Sequence, residues 1–108
     1  MSFMTKRSNT SLRLEKSFAD AFDVVLHASQ LAGEVTEKNL RVGYIVVKTP
    51  LSLVPYRNPA TVRVSLKKLN DSQTDVEFAS ESFDGLIGSG AAGAAIDKII
   101  RELERILR

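Results

Sequence analysis

The sequence holds few groups that could do chemistry, and their spacing decides what each is for. The most motif-like string is Gly88-Ser89-Gly90-Ala91-Ala92-Gly93, a literal GxGxxG. In a dinucleotide-binding unit such a string joins a strand to a helix, and its bare backbone lets a pyrophosphate approach the helix N-terminus. The same unit needs a parallel strand after the helix, with an acidic residue for the ribose. The sequence runs out at Arg108, so no βαβ unit is expected. The small residues are assigned instead to letting a helix start close to a sheet, or to leaving room above it. His27 is the single histidine. A general base needs a partner to orient it, and none is identifiable, so His27 is expected on a polar surface. Asp84 beside Gly85 is the one acid at a conspicuous strand-to-helix turn, and a turn or capping role accounts for it. Cysteine is absent, which excludes disulfides, thiolate nucleophiles and thiolate metal sites. The expectation is therefore no catalytic residue, no metal and no cofactor.

The elements that position these residues are clearer. From Ala92 the apolar residues fall at Ala92, Ile96, Ile99, Ile100, Leu103, Ile106 and Leu107, a stripe on the helical period. Asp97, Lys98, Arg101, Glu102, Glu104, Arg105 and Arg108 occupy the other face. Asp97 to Arg101 and Glu104 to Arg108 are acid-before-base pairs of the kind that supports a helix. A second helix is predicted from about Phe18 to Ala32, with Phe18, Ala21, Phe22, Val25, Ala28 and Ala32 inward. Ser17 is its N-cap, with Asp20 three residues on, and Gly33 is expected to stop it in the left-handed conformation.

Residues 1–10 read as a flexible polar arm, and 11–108 as one domain. Ser11 to Lys16 alternates as a short half-buried strand. Val35 to Asn39 is polar enough for a weak or edge strand, a turn falls between Leu40 and Gly43, and Tyr44 to Lys48 (YIVVK) is a well-formed strand. Pro50 to Pro59 holds all three prolines, so it forms neither interior strand nor helix. Leu51, Leu53, Val54 and Tyr56 make it unusually apolar: they plug one end of the core, or serve as a flap or partner-binding loop. Ala60 to Leu69 and Thr74 to Ser82 form the best hairpin, turning at Asn70-Asp71-Ser72-Gln73. A register with Lys67 opposite Asp75 sets Ser65 beside Glu77, with Arg63 diagonal to that acid. The solvent face of the sheet is then mixed in charge.

At 108 residues, with 44% hydrophobic and 26% charged side chains, the composition is that of an ordinary globular domain. Fifteen bases against 13 acids give a net charge of +2 and a pI near 9.1, too small a surplus to imply nucleic acid unless the bases cluster. No apolar run reaches transmembrane length, and the first ten residues lack a secretory h-region. Lys6 and Arg7 are too few for a polybasic anchor. The default expectation is a cytoplasmic protein without membrane insertion.

The order β-α-β-β-β-β-α describes an α+β domain: an antiparallel sheet of about five strands with both helices packed on one face. The capped helix from Ser17, the strands VRVSL and DVEFA, and GSGAAGAA leading into IDKIIRELERIL carry a resemblance over roughly Leu12 to Leu107. On these pieces the chain resembles the TATA-binding-protein-like and helix-grip architectures, the latter shared by birch-pollen-allergen and START-like lipid-binding domains. It is also similar to small prokaryotic proteins of this shape, for which no activity is implied. DNA-binding members of such folds present a basic saddle, whereas here Arg63 and Lys67 are paired with Asp75 and Glu77, so nucleic acid is not expected. The first functional expectation is a non-catalytic binding or interaction module, meeting a protein partner through Leu51, Leu53, Val54 and Tyr56. The alternative is a carrier or sensor of a small apolar ligand held between the sheet and the C-terminal helix. A pocket there would be lined by Phe22, Tyr44, Phe78, Ala92, Gly93 and Ile96.

Overall fold

The computed structural model describes residues 5–50, 52–53, 56–83 and 90–108. In chain order the elements are β1 (Thr5–Leu14), α1 (Phe18–Ala32), β2 (Glu34–Asn39), β3 (Tyr44–Thr49), β4 (Ser52–Leu53), β5 (Tyr56–Arg57), β6 (Ala60–Asn70), β7 (Gln73–Phe83) and α2 (Ala91–Leu107). Five strands make one antiparallel sheet in the order β1-β7-β6-β3-β2, while β4 and β5 pair separately as a small hairpin. This is the expected α+β arrangement, with β1 and β2 at opposite edges.

That order sets the task of α1. It must carry the chain from one edge of the sheet to the other, across four inter-strand gaps or roughly 19 Å. Fifteen helical residues span about 22 Å. Ser17 starts the helix as expected, its Oγ accepting from Asp20 N at 3.3 Å. Ala21, Phe22, Val25, Ala28, Ser29 and Ala32 are buried, and His27 is exposed. Gly33 differs from expectation. Its φ is −173°, extended rather than left-handed. A side chain is excluded there because a Cβ would overlap the backbone carbonyl of Lys48 on β3. The requirement comes from close passage against a strand, not from helix termination.

The inner face of the sheet presents Leu14, Ile45, Val47, Val62, Val64, Leu66, Val76 and Phe78, all buried and in one core with Ala95, Ile96, Ile99 and Leu103 of α2. Burying such side chains stabilises by about 1.5–3 kcal/mol each. On the outer face, Lys67 stands opposite Asp75 and Ser65 opposite Glu77, in the expected register. The ion pairs form differently. Arg63 reaches Glu81 at 3.5 Å, and Asp75 is taken by Arg13 of β1 at 3.0 Å. On α2 the pair found is Arg105–Glu102 at 3.1 Å, because i,i+3 neighbours also share a helix face.

Residues 5–10 correct the expectation of a flexible arm. Thr5 to Thr10 continue β1, paired with β7 from Thr5↔Phe83 to Thr10↔Phe78. They have no hydrophobic alternation, and their extended form comes from the length of β7 beside them. At the start of β7, Thr74 Oγ1 donates to the Lys16 carbonyl at 3.0 Å and fixes the β1–α1 link. The β2–β3 turn turns on Gly43, whose φ is +79° and whose N–H donates to the Asn39 carbonyl at 2.8 Å.

Candidate functional site

On β7 the alternation of Val76 and Phe78 continues into Ser80 and Ser82, so the inner face becomes polar toward the end of the strand. Ser80 is opposite Val62 on β6 and opposite Ser8 on β1. Above this polar end lies the first half of α2, where the inward residues shrink to Ala91, Ala92 and Ala95. A Cβ added at Gly93 would lie 3.8 Å from Ser8 Oγ, ordinary contact distance. The Ser8–Ser80 pair therefore sits beneath the opening turns of α2. That helix starts at Gly90, in the left-handed conformation (φ 64°), without a side-chain cap.

Among the described residues the buried polar side chains are Ser29, Thr49, Thr74, Ser80 and Ser82, all neutral hydroxyls. Ser29 donates to the Val25 carbonyl at 2.8 Å, Thr49 accepts from Ala60 N at 3.3 Å, and Thr74 donates to the Lys16 carbonyl. Ser82 also has a partner. Ser80 is 1% exposed, and its Oγ has no hydrogen-bond partner. A buried hydroxyl without a partner costs about 1–3 kcal/mol. An arrangement of small residues around one uncommitted hydroxyl can orient an apolar molecule by a single hydrogen bond. It includes no acid or base among the described residues. Among the described residues no group of three or more acid, histidine or cysteine side chains is placed to hold a metal.

Of the residues expected to line a pocket, Phe22, Phe78 and Ile96 are buried in one continuous core, Ala92 is buried, and Gly93 is half-buried. Tyr44 is a correction. It pairs with Ser65, on the outer face, whereas its neighbour Ile45 pairs with Val64 inside. It cannot line the same space as Phe78. Of the apolar loop, Leu51 and Val54 lie outside the described residues, as do Asp84, Gly85, Gly88 and Ser89. Leu53 and Tyr56 pair with each other through the backbone of the β4–β5 hairpin. Ser80 and Ser8 were missed by the sequence reading. The signal was the period-two continuation from Phe78, which places a serine where a large apolar residue belongs.

No family model matches the chain, and no curated protein matches it in sequence. Solved structures are similar in shape. The di-domain ARO/CYC StfQ of the steffimycin biosynthetic pathway superposes with a TM-score of 0.60 at 14% identity, over 91% of this chain and 42% of that one. The chain thus spans less than half the length of that protein. A conserved protein from Geobacillus kaustophilus superposes with a TM-score of 0.51 at 10% identity, over 94% of each chain. These likenesses, with the sheet order and the two helices on one face, define the class: a helix-grip fold. At such identities the fold is all they define.

Proposed function

We propose that this chain is a non-catalytic binding module that holds a small, mainly apolar molecule with one hydrogen-bonding group between the sheet and the first half of α2. The observation that carries the reading is the Ser80 hydroxyl, buried and unpartnered beneath Ala91, Ala92 and Ala95. Apolar walls supply the affinity, and the hydroxyl fixes orientation and tells a polar-tipped ligand from a pure hydrocarbon. The small side chains of α2 are compatible with a ligand beneath them, and a space left empty there would be destabilising. Binding rather than catalysis is favoured because the described interior contains hydroxyls only. The fold is compatible with either, as the ARO/CYC name of a structural neighbour indicates.

Native mass spectrometry of freshly purified protein tests the reading, followed by titration with a panel of phenols and fatty acids. The expected result is a retained non-covalent mass, or saturable binding that weakens about tenfold in Ser80→Ala, the loss of one hydrogen bond. An apo mass alone, with no member of the panel binding, would overturn it.

A further inference from the structure

We propose that the end of the molecule formed by the β2–β3 and β6–β7 turns is a docking surface for an anionic bilayer. The described large apolar side chains with substantial exposure are Leu31, Leu40, Val42, Leu69 and Leu107. Three of them stand at this end: Leu40 at 50% and Val42 at 67% exposure on the β2–β3 turn, and Leu69 at 38% in the last residues of β6. The turns are neighbours, because Leu66 N donates to the Gly43 carbonyl at 2.8 Å and carries the long β6–β7 hairpin past the shorter β2–β3 one.

The groove between these turns is mainly basic, with three cations to one acid, while Glu15 accepts from Gln73 Nε2 at the β6–β7 turn. Arg41, Lys67 and Lys68 line a surface groove of about 660 Å³ together with Phe18, Val42 and Leu66. Asp71 is the carboxylate among its lining residues, 3.4 Å from Lys68. On the outer face of the sheet, by contrast, Arg13 and Arg63 are matched to Asp75 and Glu81.

The turn is also held in shape. Gly43 adopts φ +79°, its N–H donates to the Asn39 carbonyl, and Val42 N donates to Asn39 Oδ1 at 3.2 Å. The backbone that carries Leu40 and Val42 is thereby fixed before contact.

Apolar side chains on projecting turns, with lysine and arginine beside them, match the interfacial zone of a membrane. The apolar tips enter the headgroup–acyl boundary, and the cations meet anionic headgroups. The most exposed of these apolar side chains, Val42, projects from a turn, as a group that enters a headgroup layer must. This is adsorption at a surface, distinct from a spanning segment: among the described residues no helix is long and apolar enough to cross a membrane. The inference is independent of the proposed ligand site, since no residue is shared between them.

Co-sedimentation of the full 108-residue chain with vesicles tests it. One set is pure phosphatidylcholine, and the other is equal parts phosphatidylcholine and phosphatidylglycerol. Binding is expected to the mixed vesicles, with little to the neutral ones, and it is expected to fall with added salt. Arg41→Ala with Lys68→Ala lowers the partition coefficient about thirtyfold, at about 1 kcal/mol per cation. Leu40→Ser with Val42→Ser lowers it about tenfold. Leu31→Ser, at the far end of α1, leaves it unchanged. These positions are exposed, and circular dichroism confirms that each variant is folded. Equal binding to both vesicle sets, no binding to either, or indifference to the turn variants would overturn the proposal. So would capture of a polyglutamate peptide by the same cations in a chain that ignores the mixed vesicles, which would assign the surface to an acidic protein partner.

Discussion

Ser80 faces Ser8 across β7 and β1, and its hydroxyl, 1% exposed, meets no hydrogen-bonding atom. Such a group is costly in the empty protein and useful in a loaded one. Replacing it by alanine removes the unsatisfied hydroxyl and adds no bulk. Ser80→Ala is therefore expected to raise the unfolding free energy by about 1 kcal/mol, read from guanidinium denaturation at unchanged slope. A variant less stable than the parent would mean that the hydroxyl is satisfied, and the ligand reading would lose its anchor.

The start of α2 can be probed for spare volume. At Gly93 a methyl group would meet Ser8 Oγ at 3.8 Å, a comfortable distance. Gly93→Ala also gains helix propensity, so about 0.5–1 kcal/mol of added stability is expected. Ala92 is 3% exposed, and a leucine there requires room for three more carbons. If the space beneath α2 is filled, Ala92→Leu costs about 1–3 kcal/mol. If it is open, thermal denaturation finds Ala92→Leu as stable as the parent, with ligand binding abolished.

Much of the frame was legible in the sequence, for reasons visible in single residues. Ser17 caps because a short hydroxyl can reach the first free N–H groups. The Lys67–Asp75 register followed from turn residues at Asn70 to Gln73 and from strict alternation on both sides. Alternation also failed in an instructive place. YIVVK is apolar at three successive positions, so nothing in it tells which of Tyr44 and Ile45 faces inward. The pairing of Tyr44 with Ser65 decides that. Thr5 to Thr10 have no apolar face, and their strand is imposed by β7. The unpartnered state of Ser80 was not readable at all, since it depends on atoms brought in from β1, β6 and α2.

The outer face supplies a prediction of small effect. Arg13 and Asp75 are 3.0 Å apart, yet their side chains are 55% and 36% exposed. An exposed pair of this kind contributes between zero and about 1 kcal/mol. Asp75→Asn is expected to cost about 0.5 kcal/mol or less, with the difference shrinking as salt is added. A loss several times larger in a denaturant titration would show that the outer face is held by a network, not by isolated pairs.

Gly33 and Gly43 are both glycines beside strands, but they are required for different reasons. Gly43 is left-handed, and a Cβ there would also meet the Leu66 carbonyl and the Phe18 ring. Gly33 is extended, a conformation any residue adopts, and its obstacle is the backbone of Lys48 and Thr49. Backbone cannot step aside as a flexible side chain can, so Gly33→Ala must push α1 away from β3, or β3 away from β6. The expected cost is about 2–3 kcal/mol, within the range for overpacked interiors. Gly43→Ala combines overlap with strain of about 1 kcal/mol and is expected to cost at least as much. D-alanine introduced by chemical synthesis separates the two causes. At Gly43 it suits the positive φ and points its methyl group away from Leu66 and Phe18, so it restores stability that L-alanine loses. Equal losses for the two enantiomers at Gly43 would show that crowding, not handedness, reserves this position for glycine.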